Sequence, residues 1–65
     1  MSYEQALALT KTLQAAKPNG ITVRMAPATA EGAYKVTLAL MGEPIKTWAT
    51  PVTADEAIEV MLASA

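Results

Sequence analysis

From Tyr3 to Ala16 the apolar residues recur at helical spacing. Tyr3, Ala6, Leu7, Leu9, Leu13 and Ala16 occupy one broad face, with Glu4, Lys11 and Thr12 elsewhere. Ser2 with Gln5 three residues later has the pattern of a capping box. Lys17-Pro18-Asn19-Gly20 then combines a residue without an amide proton with a turn dipeptide, which no helix continues through. The spacing predicts a helix over 3–16. The rhythm next changes to a period of two. Ile21, Val23 and Met25 point one way, Thr22 and Arg24 the other, and Pro27 closes this first strand. The small polar run from Pro27 to Gly32 predicts a loop. From Ala33 to Met41 the alternation is strict: Tyr34, Val36, Leu38 and Leu40 on one face, Lys35, Thr37 and Ala39 on the other.

Gly42-Glu43 supplies a two-residue turn with glycine where a type II′ turn needs positive φ, and Pro44 suits the start of an edge strand. This turn predicts a hairpin register in which Leu40 meets Ile45, Leu38 meets Thr47 and Val36 meets Ala49 on the core side. Thr37 then meets Trp48, and Ala39 meets Lys46, on the outer side. A slip of one residue exchanges the faces, so a three-residue turn buries Trp48 instead. After Pro51, Thr53-Ala54-Asp55-Glu56 forms a second capping box, with Val52 placed to staple against Ala57. Ala54, Ala57, Ile58, Met61, Leu62 and Ala65 follow helical spacing. Asp55 and Glu56 lie in the first turn, where the helix dipole favours negative charge, and this accounts for them structurally. The similarity of PATAEGA at 27–33 to PVTADEA at 51–57 is too short to define a repeat.

The elements sum to an α+β fold of order α-β-β-β-α: an antiparallel three-stranded sheet with two helices packed on one face, in a single compact domain, 1–65. Two helices cover only one side of so small a sheet. The other side is expected to face solvent or a partner.

Composition sharpens this picture at three points. The chain has 65 residues and no cysteine, so no disulfide supports it, and it lies near the lower size limit for unaided folding. It is 52% apolar, which excludes a disordered chain, but 14 of its residues are alanine. Its large apolar residues are 6 Leu, 3 Ile, 4 Val, 4 Met, 2 Tyr and 1 Trp, a thin core that favours a homodimer. The net charge of −1 argues weakly against non-specific nucleic-acid binding. No apolar run approaches the roughly 20 residues of a membrane span, and the first residues lack a signal-peptide pattern. A soluble, cytoplasmic protein is expected.

Catalysis is argued down by residue type. Without histidine or cysteine, Ser/His and Cys/His nucleophile arrangements are impossible. Asp55, Glu56 and Glu59 sit on an exposed helix start, in a spacing that matches no calcium loop. Gly20, Gly32 and Gly42 are too scattered to cradle a phosphate. The expectation is a protein that is not an enzyme and carries no metal or cofactor. The candidate site is instead the uncovered sheet face, predicted to carry Thr22, Arg24, Lys35, Thr37, Ala39, Lys46, Trp48 and Thr50. Arg24, Lys35 and Lys46, three of the five cationic residues, would surround the only tryptophan, with Thr37 among them. Such a surface stacks bases or clamps phosphates, anchors a protein partner, or is simply a solvated sheet with lysine stems lying over Trp48.

The order α-β-β-β-α at this length resembles the double-stranded RNA-binding domain, which packs two helices on one face of a three-stranded sheet. The resemblance is topological and spans nearly the whole chain. In that family RNA contacts come from the first helix, the loop between strands one and two, and lysines opening the second helix. Here the loop Pro27-Ala28-Thr29-Ala30-Glu31-Gly32 has no basic residue, and the second helix opens with the acidic Asp55-Glu56. The resemblance therefore implies the fold without that RNA site. Toxin endoribonucleases of toxin–antitoxin modules use the same topology with a histidine, which this chain lacks. In size and character the chain also resembles inhibitors that phages and mobile elements direct at host machinery. The leading expectation is a non-enzymatic interaction module acting by protein–protein contact, as an inhibitor or adaptor. The alternatives are a nucleic-acid-binding module using the same face and a homodimeric structural module.

Overall fold

A computed structural model describes residues 1–65. Ser2 and Gln5 close the capping box in both directions: the Gln5 N–H donates to Ser2 Oγ at 3.2 Å, and the Ser2 N–H donates to Gln5 Oε1 at 3.0 Å. The helix that follows, α1, runs Tyr3–Ala16. Strands β1 (Ile21–Pro27), β2 (Tyr34–Leu40) and β3 (Glu43–Trp48) form one antiparallel sheet in the order β1-β2-β3, and α2 spans Ala54–Ala63. The fold is thus the expected α-β-β-β-α arrangement. At α2, Thr53 Oγ1 accepts from the Glu56 N–H at 3.2 Å, so the cap holds through its threonine half.

The core is one-sided. Ile21 and Val23 of β1, Val36 and Leu38 of β2 and Trp48 of β3 meet Ala6, Leu9 and Leu13 of α1 and Ala57 and Met61 of α2. Helix α1 is the central element: it packs on β1 and β2, and α2 packs on α1. The buried stripe of α1 is Ala6, Leu9, Thr10 and Leu13, while Tyr3 is 49% exposed and Ala16 lies in solvent. The stripe is therefore rotated from the predicted face, and it places a threonine in the core. Thr10 Oγ1 is buried and finds no hydrogen-bond partner.

Met1 completes the sheet. Val36 pairs with Trp48, so a longer β3 would set Thr50 opposite Tyr34. The chain instead leaves towards α2, and Met1 takes that place. Its carbonyl accepts from the Tyr34 N–H at 2.7 Å, and its ammonium donates to the carbonyls of Tyr34 and Ala49 at 3.1 and 2.7 Å.

The β2–β3 hairpin departs from the predicted register. Its turn is Met41-Gly42, with φ of 53° and 87°, and Leu40 faces Glu43. Positive φ at both central positions makes this a type I′ turn, whose twist matches the flanking strands. Ala39 then faces Pro44 but Leu38 faces Lys46, leaving Ile45 as the extra residue of a β-bulge. The bulge inverts every later side chain of β3. Thr47 moves to the outer face opposite Thr37, and Trp48 moves into the core opposite Val36, only 8% exposed. The expectation of an outward Trp48 is overturned. The physical reason is size: a buried tryptophan removes about 150–250 Å² from water, or roughly 4–6 kcal/mol at 25 cal/mol per Å².

Four measurements check these assignments. Thr10→Val removes the unpaired hydroxyl at constant volume and is expected to stabilise by about 1 kcal/mol, raising Tm by roughly 4–8 °C in a domain of this size; a fall in Tm would mean that the hydroxyl is satisfied. Met41→Asn places Asn-Gly in the type I′ turn and is expected to gain up to about 1 kcal/mol by relieving a left-handed methionine. An unchanged or lowered denaturation midpoint would contradict that turn. The Trp48 emission should be blue and unaffected by dilution, and Trp48→Ala should cost roughly 3–5 kcal/mol. Red emission from the native protein would restore the outward register.

Candidate interaction surface

The alternation of β1 and β2 decides what the helix-free face displays. Thr22 pairs with Ala39, Arg24 with Thr37 and Ala26 with Lys35, all on the side away from Ile21, Val23, Val36 and Leu38. From β3, Pro44 stands opposite Ala39 and Thr47 opposite Thr37. The Thr37 and Thr47 hydroxyls lie 3.2 Å apart and bridge the two strands across this face. Thr22, Arg24, Thr37, Ala39, Gly42 and Pro44 line a shallow hollow of about 400 Å³. Its floor is made of short side chains, so a partner can approach the strands closely.

The structure thus brings together Arg24, Lys35 and Thr37 of the predicted site and removes two others. Trp48 belongs to the core, and the bulge separates Lys46 from the open face by pairing it with Leu38 on the helix side. Lys46 remains exposed because β3 is an edge strand. Thr47 takes an outer position opposite Thr37 instead of the core position opposite Leu38 expected from the two-residue Gly42-Glu43 turn. The signal for this exchange is the tryptophan itself: with the turn at Met41-Gly42, only a bulged β3 buries it.

The electrostatics of the face follow from the same list. Its outward positions on the three strands, residues 22, 24, 26, 35, 37, 39, 44 and 47, include Arg24 and Lys35 and no carboxylate. The carboxylates of α2, Asp55, Glu56 and Glu59, are exposed on a different element. A molecule of net charge −1 therefore presents a locally cationic sheet. The face has no ring on which a base could stack, since Trp48 and Tyr34 occupy core-side positions.

A second concavity, of about 280 Å³, lies between α1 and the segment joining β3 to α2. Met1, Ala8, Leu9, Val52 and Ala54 supply its apolar lining, beside Pro51. Two of its polar atoms are already engaged: Gln5 Oε1 accepts from the Ser2 N–H, and Thr12 Oγ1 donates to the Ala8 carbonyl at 2.9 Å. It has no ionisable side chain in its lining. No three carboxylates gather into a group able to hold a metal ion, and no helix is long and apolar enough to cross a membrane. No protein-family model matches the chain, and no curated protein or solved structure matches it.

Proposed function

We propose that the protein is a non-enzymatic interaction module that acts by protein–protein contact, docking its open sheet face on an acidic surface of a partner. The observation that carries this reading is the segregation of charge: Arg24 and Lys35 share a face that has no carboxylate. Arg24 is the anchor. Its guanidinium offers a planar fork that fits a carboxylate in two parallel hydrogen bonds, and it lines the hollow together with Thr22 and its cross-strand neighbour Thr37. Lys35 contributes a mobile point charge that favours acidic partners during encounter. The threonine hydroxyls supply donors and acceptors for the partner's backbone. The mechanism is occlusion of the surface that the face covers, as in a small inhibitor or an adaptor of the kind phages and mobile elements produce.

Nucleic-acid binding is the alternative that the same two cations allow. The absence of an aromatic platform and the acidic opening of α2 disfavour it.

A titration of the isotopically labelled protein with a short oligoglutamate peptide at low salt separates the readings. The expected amide shifts centre on Thr22, Arg24, Lys35, Thr37 and Thr47, and Arg24→Glu with Lys35→Glu abolishes them while leaving the denaturation midpoint in place. Shifts confined to other elements would overturn the assignment of the face. Tighter binding of RNA or DNA oligonucleotides, falling steeply with salt, would transfer the function to nucleic acid.

A further inference from the structure

The sheet has two free edges, and they are built differently. The β3 edge carries three features that discourage pairing: Pro44 without an N–H, the bulge at Ile45, and Lys46 at a position facing the helix side. The β1 edge keeps a regular register with β2 along its whole length. The hydrogen bonds from the Met41 N–H to the Gly20 carbonyl and from the Ala28 N–H to the Ala33 carbonyl fix its parity. Even-numbered residues of β1 turn their backbone groups to β2. Odd-numbered residues, Ile21, Val23, Met25 and Pro27, therefore turn theirs to the open edge.

Two of these edge groups are already used. The Ile21 N–H donates to the Pro18 carbonyl at 3.4 Å, and the Val23 carbonyl accepts from Gln14 Nε2 at 3.2 Å. Pro27 has no N–H to offer. The Val23 N–H, both groups of Met25 and the carbonyls of Ile21 and Pro27 remain. This pattern suits one self-complementary pairing better than its neighbours.

We infer that β1 is a self-association edge, pairing antiparallel with β1 of a second copy in a register centred on Met25. In that register the two Met25 residues exchange both backbone hydrogen bonds. Each Val23 N–H donates to the Pro27 carbonyl of the other copy. The bond that proline cannot return is the one to the Val23 carbonyl, which Gln14 already supplies. On the open face each Arg24 stands opposite the other copy's Ala26, and on the helix side the half-buried Met25 side chains cover one another.

Neighbouring registers each conflict with a group on this edge. Centring on Val23 sets the Met25 carbonyl against the Ile21 N–H, which Pro18 holds. Centring on Arg24 puts two guanidinium side chains directly opposite, with Cβ atoms about 4.5–5.5 Å apart, and sets the Ile21 carbonyl against proline. Centring on Ala26 leaves the Met25 carbonyl facing Pro27. The thin core supplies the driving force: only 11 of 65 residues are buried, so a second copy adds burial that the single chain lacks.

This inference does not rest on the proposed function, and the two fail separately, because one is read by peptide titration and the other by self-association. The test is sedimentation equilibrium from micromolar to millimolar protein on three variants alongside the parent chain. Ala26→Glu faces Arg24 of the other copy and should tighten the dimer by about tenfold, whereas Ala26→Arg should weaken it by about as much. Combining Arg24→Glu with Ala26→Arg reverses the pair and should tighten the dimer as Ala26→Glu does, not weaken it as Ala26→Arg alone does. In parallel, the Val23 and Met25 amides should exchange quickly at low concentration and gain protection as dimer forms. A chain that stays monomeric at millimolar concentration overturns the inference. So does a dimer in which those two amides stay unprotected, or one in which the two Ala26 variants shift affinity the same way.

Discussion

The burial of Trp48 is the constraint on which the rest of this structure depends. The chain has one tryptophan, no phenylalanine and 14 alanines among its apolar residues, so no other residue replaces that area. At roughly 4–6 kcal/mol its burial is comparable with the whole stability expected of a small domain. The sheet accepts an irregular β3 to obtain it. Inserting Ile45 rotates Trp48 inward and Thr47 outward, and the same rotation sets Lys46 on the helix side of an edge strand. A packing requirement thereby determines which chemistry the open face can have. It keeps a cationic, hydroxyl-rich surface and loses its only large aromatic.

Backbone hydrogen bonding in so small a sheet rests on single residues. Met1 pairs with Tyr34 where β3 has departed, Gln14 reaches from α1 to the Val23 carbonyl, and the Gly20 carbonyl receives the Met41 N–H at the hairpin turn. Each joins groups distant in sequence, so each also fixes the placement of an element. Gln14 sets the distance of α1 from the β1 edge, and Met1 ties the entry to α1 to both β2 and the exit from β3. The unpaired hydroxyl of Thr10 is the exception, a polar group taken into the core by the stripe it shares with Ala6, Leu9 and Leu13. Its burial follows from its neighbours rather than from its own chemistry.

Most of the element boundaries were legible because their signals are local. Ser2 with Gln5 opens α1, Pro18-Asn19-Gly20 closes it, and strict alternation marks β2. The hairpin was not, because two local rules pointed to a turn one residue late. Glycine at the first turn position and proline at the following strand start both favour Gly42-Glu43. The structure uses Met41 in the left-handed region at that first position instead. The bulge was hidden for a related reason: nothing within residues 43–48 demands an extra residue, and only the competition for core volume between Trp48 and Thr47 does. Arg24, Lys35 and Thr37 were placed correctly because β1 and β2 pair without irregularity. Lys46 and Trp48 were misplaced because they lie beyond the bulge. The error therefore falls on one strand and reaches the candidate site only through it.

The two proposals meet at Arg24. On a single chain the cationic face holds Arg24 and Lys35, a small charge for a surface meant to hold a partner in physiological salt. Pairing through β1 would join two such faces into one six-stranded surface with its two Arg24 residues near the symmetry axis. Each would lie beside an alanine, so the cations reinforce one another's attraction for an acidic partner without standing directly opposite. A partner that engages both copies gains the effective concentration of the second site, so weak contacts in each half combine into a much tighter whole. Self-association would then tune affinity through protein concentration, with no change in the fold of either copy. The asymmetry of the sheet edges fits that arrangement. The guarded β3 edge stops growth at two copies, where two receptive edges would permit an open-ended chain of sheets.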